Sequence, residues 1–191
     1  MTEREWDRRL HIRTIGREDE TQANYSPYEP TPYAVLERLA QSGHLRKRDH
    51  LLDYGCGKGR VACFMASMVG CRVTGIDHSR KLIDIALQNR RDSRTGDRVT
   101  LRCCRAEQYS PADENAFFFF NPFSEKIFEN VLRRLTQTGR EMKLICYYLS
   151  EAWLQCLEGV EQIDDIDCSD LFNGHDSREH IAIYRLPPRD V

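Results

Sequence analysis

The chain has 191 residues, of which 40% are apolar, and its formal net charge is −2. These values fit one globular domain with its own core and leave no room for a separate target-recognition domain. No apolar run approaches the roughly 20 residues that span a bilayer, and the charged N-terminus lacks the apolar region of a signal peptide. We therefore expect a cytoplasmic protein without a membrane anchor.

The N-terminal stretch is dominated by charge. Residues 1–20 carry five arginines and six acids among few apolar positions, a composition typical of a mobile arm or an amphipathic lid. We assign residues 1–24 to such an arm or lid and residues 25–191 to a single domain. Thr31-Pro32 then predicts the start of a helix, with an N-cap and a proline at the first helical position, and Gly43 predicts its end.

Strands and helices alternate through most of the remaining sequence. Periodicity predicts strands at 50–54, 72–76, 98–104, 116–120 and from Lys143 to Leu149, with helices at 60–69 and 80–91. A further helix follows the fourth strand and has one apolar face, formed by Ile127, Phe128, Val131, Leu132 and Leu135. Right-handed crossovers make these five strands parallel. The last third holds a short helix containing Trp153 and Leu157, then strands near 161–167 and 180–186 joined through Asn173-Gly174.

A glycine turn follows the first predicted strand. In the segment LLDYGCGKGR (51–60), glycines at 55, 57 and 59 let the chain turn sharply and let a ligand lie against bare backbone. The second strand ends in Asp77, whose carboxylate can accept hydrogen bonds from both hydroxyls of a ribose. Together these features predict a nucleoside-binding half-site.

The spacing of the turn distinguishes two cofactors. A dinucleotide site needs the pattern G-x-G-x-x-G, but Arg60 occupies the place of its last glycine. The observed Asp53-x-Gly55-x-Gly57-x-Gly59 instead resembles motif I of the class I methyltransferases, which bind S-adenosyl-L-methionine. The resemblance implies a three-layer, doubly wound α/β fold with a mostly parallel seven-stranded sheet and an antiparallel last strand.

The same resemblance assigns roles within the turn. The turn is expected to pack against the methionine part of the cofactor, and Asp53 is expected to organise the turn and the ammonium end, directly or through water. Cys56 lies where a small side chain is required, so we do not expect a nucleophile there. The other cysteines, without a C-x-x-C pair, are predicted to be buried free thiols. Because the histidines are scattered as well, no metal site is predicted.

A second landmark is FFFFNPF (117–123). Four aromatic residues without alternation indicate a strand buried on both faces, so Asn121-Pro122-Phe123 falls at the carboxyl edge of the sheet, where ligands bind. The triplet resembles an abbreviated N-P-P-Y/F motif of nitrogen methyltransferases. The resemblance implies that Asn121 and a backbone carbonyl accept hydrogen bonds from the target nitrogen while Phe123 stacks on the substrate. The alternative is a simple strand-end turn with Ser124 capping the next helix.

Two further segments extend this resemblance. Thr31-Pro32 followed by Val35 is similar to the T-P-x-x-V/L helix of N6-adenine and related methyltransferases, which implies that Thr31 closes over the cofactor's carboxylate. Tyr28 and Tyr33, in the same segment, are candidate walls of the substrate cavity together with Phe123.

The adenine pocket departs from the family pattern. His78 lies where the family places a side chain against the adenine face. Arg105 stands in the place of the family's acid, before Ala106-Glu107. Glu107 is therefore the candidate for the contact with the adenine amino group.

Charge placement bears on the acceptor. Basic residues precede strands one, three and five and so fall at the amino edge: Arg46, Lys47, Arg48, Arg90, Arg91, Arg94, Arg98, Arg140 and Lys143. Residues 158–179 hold eight acids against Arg178, and the loop 168–179 is expected at the catalytic edge. Phosphate backbones would be repelled there, which disfavours nucleic acid. A neutral or cationic acceptor, such as a small amine or a basic peptide, fits better.

These observations favour an S-adenosylmethionine-dependent methyltransferase that acts on a small-molecule or protein acceptor, with nitrogen as the favoured atom. Three alternatives remain open at this point. They are an RNA methyltransferase, a non-catalytic S-adenosylmethionine-binding module and an NAD-dependent oxidoreductase. The sequence predicts neither the identity of the acceptor nor the oligomeric state.

Overall fold

A seven-stranded sheet forms the centre of the structure, a computed structural model that describes residues 1–18, 23–174 and 176–188. The strand order is β3-β2-β1-β4-β5-β7-β6. Strands β1 to β5 are parallel, and β7 runs antiparallel to both of its neighbours. The strands are β1 His50–Tyr54, β2 Arg72–Asp77, β3 Val99–Cys103, β4 Ala116–Phe120, β5 Met142–Tyr147, β6 Glu161–Asp167 and β7 His180–Leu186. The predicted fold class is confirmed.

Helices cover both faces of this sheet. On one face, α2 and α3 pack over β1 and β4 with α1 against α3, and α4 contacts α3, β2 and β3. On the other face, α5 and α6 contact each other over the aromatic side chains of β4. The helices are α1 Glu3–Leu10, α2 Tyr33–Gln41, α3 Arg60–Met68, α4 Arg80–Asp92, α5 Glu125–Gln137 and α6 Glu151–Cys156.

The phenylalanine run in β4 explains how the two cores are separated. Phe117 and Phe119 enter the core beneath α5, whereas Phe118 enters the core beneath α3. Because successive side chains of a strand point to opposite faces, a central strand needs apolar residues at every position. All three rings are almost completely buried. The apolar run ends with β4 at the carboxyl edge of the sheet, and Asn121 begins the turn that follows.

Of the two expectations for the N-terminal segment, a mobile arm or an amphipathic lid, a mobile arm does not describe residues 3–10. Thr2 and Glu5 form a reciprocal capping box that begins α1. Trp6 and Leu10, four residues apart on one face of this helix, are buried in the core beside Phe64. Residues 3–10 are thus packed onto α3; Arg4, Glu5, Arg8 and Arg9 are exposed, whereas Asp7 is buried with Trp6 and Leu10.

Several element boundaries shift relative to the sequence prediction, most of them by one residue. Helix α2 begins at Tyr33, with Pro32 rather than Thr31 as its cap. Strand β5 ends at Tyr147 and not at Leu149, because Tyr148 adopts a left-handed conformation with φ of 61° and turns the chain away from the sheet. Within the described residues, every helix is too short or too polar to traverse a bilayer.

Several acids of the last hairpin contact basic side chains, a feature that the count of charges in the sequence does not reveal. Strand β6 lies at the sheet edge, and its carboxylates pair with basic residues from other elements. These pairs are Glu161 with Arg185, Asp164 with His44, and Asp165 with His180, and Asp170 beyond the strand pairs with Arg38. Closer to the carboxyl edge of the sheet, Asp176 pairs with Arg178, and among the described residues Glu179 forms no ion pair.

Candidate active site

A cavity of about 960 Å³ opens at the carboxyl ends of β1, β2, β4 and β5. Its walls come from the turn after β1, the turn after β2, the Asn121-Pro122-Phe123 turn, Arg17 with Glu18, and residues 25–32. Parallel α/β sheets bind ligands at this edge because the turns leave backbone groups and side chains unpaired there. The cavity is the candidate active site.

The glycine turn and the Asn121 turn touch each other. Gly55 has φ of 76°, and a Cβ atom at this position would lie 2.5 Å from Cβ of Pro122. Only glycine allows this approach together with this backbone angle. The cofactor turn and the candidate acceptor turn therefore form one continuous wall of the cavity.

Asp77 links the two halves of the predicted nucleoside site. Its Oδ2 atom accepts a hydrogen bond from the backbone N–H of Gly57 at 3.0 Å, and Oδ1 accepts one from the backbone N–H of Ser79 at 2.8 Å. Burial raises the pKa of Asp77, and these two hydrogen bonds oppose the increase. Each carboxylate oxygen keeps a further lone pair, so Asp77 can also accept hydrogen bonds from the two ribose hydroxyls.

Asp53 provides the clearest sign of a missing cationic partner. The side chain borders the cavity and is only 2% exposed, and its Oδ2 atom is buried without a hydrogen-bond partner. Burial, and secondly the charge of Asp77, raises the pKa of Asp53 to about 8. A buried carboxyl oxygen without a partner is costly, and the ammonium group of S-adenosylmethionine would supply a charged donor. The site residues thus fit the cofactor.

Cys56 behaves as a small packing residue. Its thiol is buried against Gly75, where a Cβ atom would lie 2.9 Å from Sγ. Burial, followed by the charges of Asp53 and Asp77, holds the pKa of Cys56 well above its usual range. A thiol that stays protonated is a poor nucleophile, so the geometry agrees with the packing role.

The other two glycines of the motif do not border the cavity directly. Gly59 caps α3 with φ of 81° and packs against Ala86 of α4. Gly57 lies beneath the ring of Tyr28, because a Cβ atom there would be 2.3 Å from Tyr28 Cε2. Thr31 is buried and borders the cavity as expected, and its carbonyl oxygen accepts a hydrogen bond from Arg60.

The region predicted to hold adenine contains an unexpected aromatic residue. Tyr25 packs on His78 with ring centroids 4.0 Å apart, and its hydroxyl donates to Glu107 at 2.7 Å. His78 and Ala106 border the cavity. Glu107 does not border it, because its carboxylate points to Tyr25. The expected contact of Glu107 with the adenine amino group therefore differs from the observed arrangement, in which Glu107 positions Tyr25.

Asn121 is the polar side chain at the centre of the second turn. It borders the cavity with φ of 40°, and among the described residues its amide has no hydrogen-bond partner. The carbonyl of Pro122 is already used, since it accepts from the backbone N–H of Ser26 at 3.0 Å. Phe123 borders the cavity but is 2% exposed and stacks on Trp153. Its ring thus supports the turn and offers little surface to a substrate.

Tyr28 and Tyr33 do not form the acceptor wall expected of them. Tyr33 is buried between Trp6 and Phe64, and its hydroxyl donates to Asp7 at 2.6 Å. It faces α1 and not the cavity. Tyr28 does border the cavity, but its ring lies on the glycine turn and its hydroxyl donates to the carbonyl of Thr14. Tyr28 is therefore on the cofactor side.

Sequence reasoning missed the contacts that hold the N-terminal segment over the cavity. Glu18 pairs with Lys58 at 3.1 Å and with Lys81 at 2.9 Å, and its backbone bridges to Tyr28. Lys58 also lies 4.7 Å above the Tyr28 ring. Beneath them Arg60 is buried and pairs with Glu3, with Thr14 Oγ1 and with the carbonyl of Thr31. The signal in sequence was Arg60 itself, an arginine at the start of an apolar helix.

One group of possible metal ligands occurs in the described chain, away from the cavity. His50, Asp113 and Glu114 have ligand atoms within 4.8 Å of one another at the amino edge of the sheet. Both ring nitrogens of His50 already contact other side chains, those of Asp113 and Thr74. This group has no connection with the candidate active site.

Comparisons with known proteins agree with this geometry. Residues 51–142 match the family described as a methyltransferase domain. A stretch of 66 residues is 36% identical to a histone-lysine N-methyltransferase specific for H3 lysine 79 from Dictyostelium discoideum. That match covers 35% of this chain and only 3% of the much longer relative.

Solved structures share the fold across most of the chain. An RNA methyltransferase from Salinibacter ruber, crystallised with S-adenosyl-L-homocysteine, superposes with a TM-score of 0.66 at 18% identity, covering 85% of this chain and 96% of that one. A TehB-like methyltransferase from Corynebacterium glutamicum gives a TM-score of 0.58 at 18% identity, over 82% and 88% of the two chains. Together these findings show that residues 51–142 match a methyltransferase domain and that most of the chain has the class I methyltransferase fold.

Proposed function

We propose that this enzyme methylates a nitrogen atom of a small-molecule or protein acceptor. One observation carries the proposal: the unpartnered amide of Asn121 stands in the cavity on the turn that packs against the cofactor turn. An amide oxygen can accept a hydrogen bond from an N–H group and so aim the nitrogen lone pair. S-adenosylmethionine would supply the activated methyl group.

The contribution of the protein is alignment. Bond formation between nitrogen and the methyl carbon, with departure of the sulfur, needs an in-line approach, and effective molarity rises steeply when two reactants are held in that geometry. Asn121 orients the acceptor, and the extra proton of the methylated nitrogen leaves to solvent. Pro122 fixes the turn against Gly55, and Phe123 anchors it against Trp153. Asp53, Asp77 and His78, with Gly55, Cys56, Ala106 and Thr31, hold the cofactor.

Charge favours a small molecule or a protein over RNA. Lysine and arginine side chains near the cavity are paired with carboxylates: Arg17 with Glu29, Lys58 and Lys81 with Glu18, and Arg178 with Asp176. Phosphate binding depends on cations that can neutralise it, and three carboxylates already offset most of the charge of these four cations. RNA remains the second candidate, because a structurally similar protein is an RNA methyltransferase.

The test uses methyl-labelled S-adenosylmethionine with separated small-molecule, protein and RNA fractions of a cell extract. The informative variant is Asn121→Gly, since glycine accepts the positive φ of 40° that alanine would strain. We expect it to retain cofactor affinity and to lose about 10²-fold or more in turnover. Asn130→Gly, at a half-buried position on α5 outside the cavity, controls for the general effect of glycine.

The outcomes separate the alternatives. Equal loss of binding and turnover in Asn121→Gly would refute an acceptor-orienting role. Label in the RNA fraction that ribonuclease removes would favour the RNA methyltransferase, and cofactor binding without label in any fraction would favour a non-catalytic binding module. Tight NADH binding in place of S-adenosylhomocysteine would favour the oxidoreductase.

A further inference from the structure

Three aromatic rings surround the end of the cavity beside β5. Phe120 ends β4, Tyr147 ends β5, and Tyr148 follows it in the chain. The ring centroids of Phe120 lie 4.9 Å from Tyr147 and 6.2 Å from Tyr148, and those of the two tyrosines lie 5.9 Å apart. The planes of the three rings are inclined to one another by 46° to 88°. Phe172, from the hairpin loop, also borders this end.

A carboxylate completes this end of the cavity. Glu179 borders the cavity, and the hydroxyl of Tyr147 donates a hydrogen bond to its Oε2 atom. Among the described residues, no lysine, arginine or histidine forms an ion pair with Glu179, in contrast to the acids of β6. Burial, and secondly Glu179, raises the pKa of Tyr147. Tyr147 therefore keeps its proton and holds the carboxylate in place while Oε1 stays available.

A cation of the protein itself already lies at this end of the cavity and is paired with a carboxylate. Arg178 lies 4.4 Å from the Tyr148 ring centroid and pairs with Asp176 at 2.8 Å. Asp176 also accepts a hydrogen bond from the Tyr148 hydroxyl. This contact shows that Tyr148 presents a face suited to a cation. Arg178 forms its ion pair with Asp176, and among the described residues Glu179 has no ion pair of its own.

The position of this end relates it to the acceptor and not to the cofactor nucleoside. Asp77 ends β2, and three strand spacings separate β2 from β5 in the order β2-β1-β4-β5. At about 4.8 Å per spacing, that is about 14 Å. Phe120, by contrast, directly precedes Asn121 in the chain. The aromatic end is therefore adjacent to the candidate orienting residue on the side away from the ribose.

We propose that Glu179 and the rings of Phe120 and Tyr148 form a subsite for a positively charged ammonium group on the acceptor, with Tyr147 holding Glu179 in place. Ring faces attract cations through their negative quadrupole, and a carboxylate adds direct ionic attraction. This inference rests on the proposed function for its placement, and it narrows the acceptor class. Because a protonated or quaternary nitrogen has no lone pair, the cation held here is distinct from the nitrogen that receives the methyl group. The acceptor thus carries a cationic group and a separate nucleophilic nitrogen.

Binding measurements test this subsite without requiring turnover. Calorimetry on the protein saturated with S-adenosylhomocysteine compares choline with 3,3-dimethylbutan-1-ol, which has the same shape but no charge. We expect choline to bind about tenfold more tightly or better, a ratio typical of a desolvated cation on aromatic rings. Glu179→Gln should remove most of this preference. Glu158→Gln, an exposed acid outside the cavity, should leave it unchanged.

A second variant covers the possibility that Glu179→Gln disturbs folding. Tyr147→Phe retains the ring and removes only the hydrogen bond to Glu179, and it should weaken choline binding by about threefold, within the range for one such bond. Equal affinity for choline and its neutral isostere, or an unchanged preference in Glu179→Gln with an unaltered melting temperature, would overturn the proposal.

Two further probes distinguish the sources of the cation. 1,4-Diaminobutane represents a small polyamine, and a short peptide with two lysines represents a protein. The probe that binds more tightly identifies the source of the cation. These binding measurements do not require methyl transfer, so their result can be separated from that of the proposed function. Methyl transfer that occurs without any charge preference would refute the subsite alone. A charge preference without methyl transfer to nitrogen would leave the subsite standing and contradict the proposed function.

Discussion

Cofactor affinity should depend on pH through Asp53. The buried carboxyl has a pKa of about 8 in the free protein, so it is mostly protonated at neutral pH. If the ammonium group of the cofactor binds to the ionised form, binding must expel this proton. The ionised fraction is about 1/4 at pH 7.5 and about 1/100 at pH 6 for such a pKa. Affinity should therefore fall about 25-fold between these two pH values.

Calorimetric titration with S-adenosylhomocysteine measures this effect in two ways. The dissociation constant should rise as pH falls from 7.5 to 6, and titrations at pH 7 in buffers of different ionisation enthalpy should show release of about 0.9 proton. Asp53→Asn should flatten the profile, and any remaining slope reports Asp77, whose carboxylate interacts with that of Asp53. Asp113→Asn, at the opposite edge of the sheet, should retain the wild-type profile.

Protonation of Asp53 affects the stability of the fold in the opposite direction from its effect on cofactor affinity. Because the pKa of Asp53 is raised in the folded state, the folded protein binds the proton more tightly than the unfolded chain between about pH 4 and pH 8. The contribution of Asp53 to stability is therefore present below pH 4 and is lost as pH rises to 8. An affinity that is constant from pH 6 to 7.5, without proton release, would refute this reasoning.

Three further substitutions test the contacts around the cavity. Gly57→Ala should lower S-adenosylhomocysteine affinity more than tenfold, because the added methyl group would collide with Tyr28 at a φ of 51°; unchanged affinity in calorimetry would contradict the observed approach of that ring. Arg60→Ala removes the cation 4.0 Å from the buried carboxylate of Asp7 and should lower the free energy of unfolding in urea by about 3 kcal/mol, whereas exposed Arg91→Ala should change it by less than about 0.5 kcal/mol. A similar small effect of both would mean that the Arg60 contacts contribute little. Glu18→Gln removes two ion pairs across the cavity and should speed cofactor dissociation about two- to fivefold in stopped-flow measurements, and an unchanged rate would show that this segment does not limit release.

The parallel sheet and the glycine turn could be predicted because their signals are local. Strand periodicity, a glycine every second residue from Gly55, and an acid at the end of the next strand are each visible within a few positions. The phenylalanine run of β4 likewise predicts burial on both faces, which the structure confirms for Phe117 to Phe119. These features depend on backbone geometry that the sequence carries directly.

The errors concern contacts between distant segments. Tyr33 was expected at the cavity because it follows Thr31-Pro32, but α1 packs beside it and its hydroxyl reaches Asp7, 26 positions earlier. Glu107 was expected to contact adenine, but Tyr25, 82 positions away, takes its carboxylate. Because residues 1–20 are so highly charged, the sequence analysis did not predict that Trp6 and Leu10 would be buried in the core. Such pairings depend on how the N-terminal segment folds back over α3, which local patterns do not encode.

The nature of the methylated atom is the most direct test of the account. The protein is incubated with S-adenosylmethionine carrying a ¹³C-labelled methyl group and with the small-molecule and protein fractions of an extract, and the carbon chemical shift of the product reports the atom to which the methyl group is bonded. The account predicts a methyl resonance bonded to nitrogen, formed by the wild-type protein and by Asn130→Gly but absent with Asn121→Gly. A methyl group on oxygen or carbon, or a product that Asn121→Gly forms as rapidly as the wild-type protein, would contradict it.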